Sequence, residues 1–168
     1  MTKFWTTIDA RDRIYLVGFM GAGKTSRGKE MAELLRYTFL DLDQLVEEEM
    51  GMSVPDIFVR HGEAAFRECE LRMLKRTQIL GRSIIATGGG TAALPGAMEW
   101  MNKNGWTVYL KVDWPELRNR LEQIREDRPL LAAEDWGKTT EQLWKNRLPH
   151  YLQARQILLP DEAWNPGL

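Results

Sequence analysis

Eight residues near the start of the chain, Gly18-Phe-Met-Gly-Ala-Gly-Lys-Thr25, place three glycines, a lysine and a hydroxyl at a spacing that suits one kind of chemistry. Glycines let the backbone turn tightly, so that several N–H groups point into one concavity. A helix beginning at Lys24 adds the positive end of its dipole to that concavity. The pattern is the phosphate-binding G-x-x-x-x-G-K-[S/T], or P-loop. Gly21, Ala22, Gly23, Lys24, Thr25 and Ser26 are therefore expected to cradle the phosphates of ATP, with Lys24 on the outer ones and the Thr25 hydroxyl on Mg²⁺. The setting agrees with this: an apolar strand over 13–18 precedes the motif, and a helix over 24–36 with Met31, Leu34 and Leu35 on one face follows it.

A P-loop names the phosphoryl donor and leaves the acceptor open. Asp41 and Asp43 are read as alternating at the end of a second strand, over 38–42, and so as pointing to opposite faces. One carboxylate would then serve the metal and the other an acceptor hydroxyl. Asp43 can also be read as the cap of the helix that follows, with Glu47 in its first turns. Gly88-Gly89-Gly90 ends a third strand at the same sheet edge, where ligands of open α/β sheets bind. Three glycines in a row suit a place where another group must come close to the main chain. Thr87 before them is placed to hydrogen-bond a metal-bound water. Arg67 stands three residues before Glu70, a spacing that lets the acid orient the guanidinium. Arg147 lies in Arg147-Leu-Pro-His-Tyr151, and Arg128 in Asp127-Arg-Pro-Leu-Leu131. Forked guanidinium groups suit a planar carboxylate.

Positioning these residues requires short apolar strands alternating with helices, the pattern of an α/β fold with a parallel sheet. Further strands are expected over 83–87, 106–112 and 156–159. Helices are expected over 43–50, 54–61, 63–80 (Phe66, Leu71, Leu74 and Ile79 apolar), 94–103, 114–123 and 139–154. Pro149 should kink the last of these. Residues 124–136 read as a loop and 160–168 as an irregular tail. The 168 residues fit one domain, which at this length hides roughly 70% of its unfolded surface.

The net charge of −1 supplies no global field for nucleic acid or anionic membrane. No apolar run approaches the ~20 residues needed to span a bilayer, and residues 1–13 do not resemble a secretory signal. The one cysteine, Cys69, cannot form an internal disulfide, in keeping with a reducing cytoplasm. It falls inside a helical stretch with no basic motif and is not read as a nucleophile. The seven tryptophans are read as packing residues.

Together these elements resemble the shikimate kinase family. The similarity is carried by the P-loop at 18–25, Asp41-Leu-Asp43, Gly51-Met-Ser-Val-Pro-Asp-Ile-Phe58, Gly62-Glu-Ala-Ala-Phe-Arg-Glu-Cys-Glu70, Ala86-Thr-Gly-Gly-Gly90, Arg128-Pro-Leu-Leu131 and Arg147-Leu-Pro-His-Tyr151. The resemblance implies a three-layer α/β/α fold like that of nucleoside monophosphate kinases. Its five-stranded parallel sheet has the order 2-3-1-4-5, with an acceptor-binding helical region about 43–80 and a mobile lid about 124–136. It also implies ATP-dependent phosphorylation of the 3-hydroxyl of shikimate, in aromatic amino-acid biosynthesis, by a cytoplasmic monomer.

By motif position, Asp43, Arg67, Gly88, Gly89, Gly90 and Arg147 would bind shikimate, the two arginines on its carboxylate. Thr25 and Asp41 would serve Mg²⁺. Lys24 and Arg128 would act on the transferring phosphate, Asp43 would orient the acceptor hydroxyl and act as its base, and Arg120 would stack on adenine. The chain departs from the family in two places. The tail reads as irregular where relatives continue into a helix after a turn that flanks adenine, and His150 stands where leucine is frequent. Two rival readings remain. A gluconate or nucleoside-monophosphate kinase would rearrange the acceptor residues, and a non-catalytic nucleotide-binding module would be expected to lose some of Asp43, Arg67, Arg128 and Arg147.

Overall fold

The computed structural model describes residues 13–125, 131 and 133–162. Residues 126–130 and 132 of the 124–136 loop, Arg128 among them, the segment before Arg13 and the end of the tail lie outside the described residues. Among the described residues five strands, β1 (Arg13–Val17), β2 (Thr38–Asp41), β3 (Ser83–Ala86), β4 (Trp106–Leu110) and β5 (Gln156–Leu158), form one sheet in the order β2-β3-β1-β4-β5. Every pairing is parallel. β1 is the central strand, and Ile14, Tyr15, Leu16 and Val17 are all fully buried, as expected for a parallel strand covered on both faces. Because all five strands run the same way, the segments that follow them converge on one edge: the P-loop, Asp41, the triple glycine, and the turns after β4 and β5.

Among the described residues six helices complete the layers: α1 (Lys24–Leu35), α2 (Leu42–Met50), α3 (Val54–Arg76), α4 (Ala97–Asn104), α5 (Trp114–Gln123) and α6 (Trp136–Tyr151). α2 ends at Gly51 in the left-handed region (φ 66°), a conformation that favours glycine. Ser53 then caps α3 by accepting from the Asp56 N–H. α3 is two helices joined at Gly62 (φ 80°, ψ 170°), as the separate spans over 54–61 and 63–80 anticipate. That break aims the second half, which carries Phe66, Arg67 and Glu70, toward the sheet edge.

Several boundaries and faces differ from the sequence reading. Leu34 and Ile79, expected on apolar faces, are 57% and 83% exposed. α1 buries Met31 as expected, together with Gly28 and Ala32 rather than Leu34. A Cβ on Gly28 would meet the Phe39 ring at 2.5 Å, so the helix seats more closely on β2 than a pattern of large apolar residues suggests. The helix expected from residue 94 starts at Ala97, after a single 3₁₀ turn over 91–93. α6 begins at Trp136 rather than 139, and its buried Trp136 ring receives the Arg125 guanidinium at 5.6 Å. Pro149 sits in the last turn of α6, which ends two residues later at Tyr151.

Candidate active site at the carboxyl edge of the sheet

The P-loop joins β1 to α1 with Gly21 and Gly23 at φ 78° and 89°, conformations open to glycine. Lys24 is buried and its Nζ donates to the Gly18 and Phe19 carbonyls at 2.7 and 2.9 Å. It lies folded back over the loop whose phosphates it is expected to meet. Thr25 Oγ1 donates to Asp41 Oδ2 at 2.8 Å.

Asp41 and Asp43 do separate toward two sites, although for a different reason from strand alternation. β2 stops at Asp41, and α2 begins at Leu42. Asp41 caps that helix by accepting from the Asp43 N–H at 3.1 Å, so the capping acid is Asp41 and not Asp43. Asp43 lies in the first helical turn. Its Oδ1 would be 2.8 Å from a Cβ placed on Gly88. Asp41 thus faces the P-loop threonine while Asp43 faces the triple glycine.

None of the three consecutive glycines has a positive φ, so conformational freedom is not their reason. Close approach is. A Cβ on Gly88 would lie 2.6 Å from Glu70 Oε1, and one on Gly90 would lie 2.7 Å from both Arg67 Nη1 and Nη2. A Cβ on Gly89 would sit 3.1 Å from Met20 N in the P-loop and 3.7 Å from Arg147 Nη1. The glycines are where the donor loop, the acidic pair and both arginines meet. Thr87, expected to hold a metal-bound water, instead donates its hydroxyl proton to Leu16 O at 2.8 Å and is buried. It ties the end of β3 to β1.

Arg67 donates to Glu70 Oε2 at 2.7 Å and to Glu63 Oε1 at 3.2 Å, as the i+3 spacing to Glu70 leads one to expect. Glu70 is fully buried and also accepts from Thr91 Oγ1 at 2.5 Å. Burial opposes the Arg67 charge, but the Glu70 and Glu63 carboxylates outweigh it and hold the guanidinium above its ordinary pKa. Arg147 behaves oppositely. Burial lowers its pKa, the nearby Arg67 charge adds to that, and Tyr151 and Glu70 offset it only in part. Its guanidinium lies over the Phe19 ring at 5.7 Å. An anion between the two arginines would relieve a charge that burial disfavours.

On the other side of the P-loop, a cleft of about 290 Å³ is lined by Ala22, Gly23, Ser26, Arg120 and Pro160, among others. Arg120 Nη1 donates to Gly21 O at 3.2 Å, and its guanidinium pairs with Glu116. Pro160 brings the turn after β5 to the same cleft, and Arg27 Nη2 holds that turn by donating to Glu162 O. Sequence reasoning missed Arg27 and Pro160 because nothing local marks them. Cys69 is buried and burial pushes its thiol up, which agrees with a packing role. Among the described residues no cluster of three or more His, Cys, Asp or Glu forms a self-sufficient metal site.

The shikimate kinase family profile matches residues 20–166. The chain belongs to the shikimate kinase family. A shikimate kinase from Synechococcus elongatus is 42% identical over 141 residues, covering 84% of this chain and 73% of that one. One from Bacteroides thetaiotaomicron is 39% identical over 153 residues, covering 89% and 87%. The crystal structure of shikimate kinase from Bacteroides thetaiotaomicron superposes with a TM-score of 0.84 at 38% identity, covering 93% of this chain and 90% of that one. The shikimate kinase from Acinetobacter baumannii solved in complex with shikimate gives 0.83 at 33% identity, covering 99% and 90%. The five-stranded parallel order found here is the one expected of a shikimate kinase.

Proposed function

We propose that the protein transfers the terminal phosphoryl group of ATP to the 3-hydroxyl of shikimate. The observation that carries this is the convergence beside the P-loop of Asp43, Arg67 and Arg147 on Gly88, Gly89 and Gly90. A carboxylate would lie between Arg67 and Arg147, and the ring hydroxyls would face Asp43. The P-loop backbone and Lys24 hold the phosphates. Ser26, Arg120 and Pro160 flank the cleft assigned to adenine.

Thr25 and Asp41 fit a magnesium ion. Their hydroxyl and carboxylate oxygens lie 2.8 Å apart at the mouth of the loop. Such hard oxygen ligands would suit Mg²⁺. When bound, the ion neutralises charge on the phosphates.

Phosphoryl transfer depends on positioning and charge stabilisation. Lys24 leaves the Gly18 and Phe19 carbonyls to meet the outer phosphates, and Arg128, in the segment expected to form a lid, would supply a second positive charge. Asp43 orients the acceptor hydroxyl. If Asp43→Asn raises only the KM for shikimate and leaves kcat intact, Asp43 is not a base. We place the enzyme in the cytoplasm as a monomer acting on small molecules, without nucleic acid or membrane partners. Among the described residues no helix is long and apolar enough to cross a membrane.

The test is ADP release in a coupled assay. Shikimate should stimulate it, while gluconate, AMP and quinate should not. Stimulation by one of the latter instead of shikimate overturns the assignment.

A further inference from the structure

Tyr151, the last residue of α6, is fully buried. Its hydroxyl donates to Gly89 O at 2.5 Å. Its ring stacks on Tyr109 of β4, with centroids 5.3 Å apart and planes 25° apart. Tyr109 is in register with Val17, the residue before the P-loop. One turn back on α6, Arg147 stands next to the Tyr151 phenol, and its Nη1 comes within 3.7 Å of the Cβ position of Gly89.

A phenol has one proton to give and lone pairs to receive with. Here the proton goes to the Gly89 carbonyl, which leaves the oxygen's lone pairs to face the Arg147 guanidinium. The same guanidinium lies over the Phe19 ring, 5.7 Å from its centroid. Both pKa directions agree with this geometry: burial raises the Tyr151 phenol, and its oxygen partly offsets the lowering of Arg147.

We infer that Tyr151 is a positioning residue of the acceptor site, holding the Gly89 peptide and the Arg147 fork in the arrangement that receives the substrate's carboxylate. This rests on the reading that Arg147 binds that carboxylate, and it adds to that reading a residue that touches no substrate.

The experiment uses the full chain with Tyr151→Phe, which keeps the stack on Tyr109 and removes only the hydroxyl. The KM for shikimate should rise about five- to tenfold, the loss of one buried hydrogen bond. The kcat and the KM for ATP should change less than about twofold, because a residue acting through the carboxylate site does not touch the phosphates. In an Arg147→Ala background the same change should add little, since the two act as a unit. An unchanged KM for shikimate, equal losses for both substrates, or full additivity with Arg147→Ala overturns the inference. So does a loss of thermal stability without a selective rise in that KM. If Arg147→Ala itself leaves shikimate binding intact, it is the clamp reading that fails, and the two failures are thereby told apart.

Discussion

Thr25 Oγ1 and Asp41 Oδ2 lie 2.8 Å apart although sixteen positions separate them in the chain. The contact joins the P-loop helix to the cap of α2, and Asp41 serves two partners at once, the threonine hydroxyl and the Asp43 N–H. Asparagine caps a helix about as well as aspartate. Asp41→Asn should therefore leave stability within about 0.5 kcal/mol while removing the charge offered to magnesium. The Mg²⁺ concentration needed for half-maximal kcat should rise about 10- to 100-fold. A magnesium titration at fixed ATP checks this, and an unchanged midpoint takes Asp41 out of the metal site.

The triple glycine predicts a sharp contrast between two alanine substitutions. Gly88→Ala drives a methyl group to 2.6 Å from Glu70 Oε1 and 2.8 Å from Asp43 Oδ1. Something in the acceptor pocket must shift, and the substitution should cost about 1–3 kcal/mol, as overpacking does. Shikimate binding should suffer more than ATP binding. Gly81 has open space around its Cβ position and no positive φ. Gly81→Ala should be neutral, or stabilising by up to about 1 kcal/mol through the unfolded chain. Urea unfolding of the two variants, with both KM values, decides the matter.

Glu70 joins Arg67 and Thr91 from a fully buried position. Glu70→Ala leaves Thr91 without its acceptor and Arg67 with only the exposed Glu63. The expected loss is about 2–4 kcal/mol, toward the lower end because the Arg67 side chain is 22% exposed. Shikimate KM should rise with it, since Arg67 is then free to swing away. A full-strength shikimate KM in a stable Glu70→Ala protein would show that Arg67 needs no such support.

Alkaline stability follows from the tyrosines. Burial raises the phenols of Tyr15, Tyr109 and Tyr151, that of Tyr109 to about 12. An unfolded tyrosine titrates near 10. Above that pH the unfolded chain loses protons that the folded one keeps, so stability falls as pH rises. Each such group steepens the slope by at most about 1.4 kcal/mol per pH unit. These groups leave stability flat from pH 7 to 9. Melting temperatures measured from pH 8 to 12 should break downward near 10, more gently in Tyr109→Phe. A slope unaffected by that change assigns the alkaline loss elsewhere.

The P-loop was legible because its chemistry is local: glycines, lysine and threonine lie within eight residues, between a strand and a helix. The parallel sheet was legible from alternating apolar runs, and the Arg67–Glu70 pair from helical spacing. The sequence by itself therefore determined which groups the protein owns and which sheet edge they occupy. It did not determine which of them meet. The division between Asp41 and Asp43 rests on a helix that begins one residue after the strand ends, a boundary that pattern alone misplaced. The need for three glycines rests on Glu70, Asp43, Arg67 and the P-loop approaching from elsewhere in the chain. Arg27 and Pro160 carry no local signal, and Tyr151, although it closes the Arg147-Leu-Pro-His-Tyr151 motif, gives no sign in sequence of what its hydroxyl faces. Those meetings were decided by packing and parallel crossover connections, because distances across the sheet edge depend on how the helices seat and not on spacing along the chain.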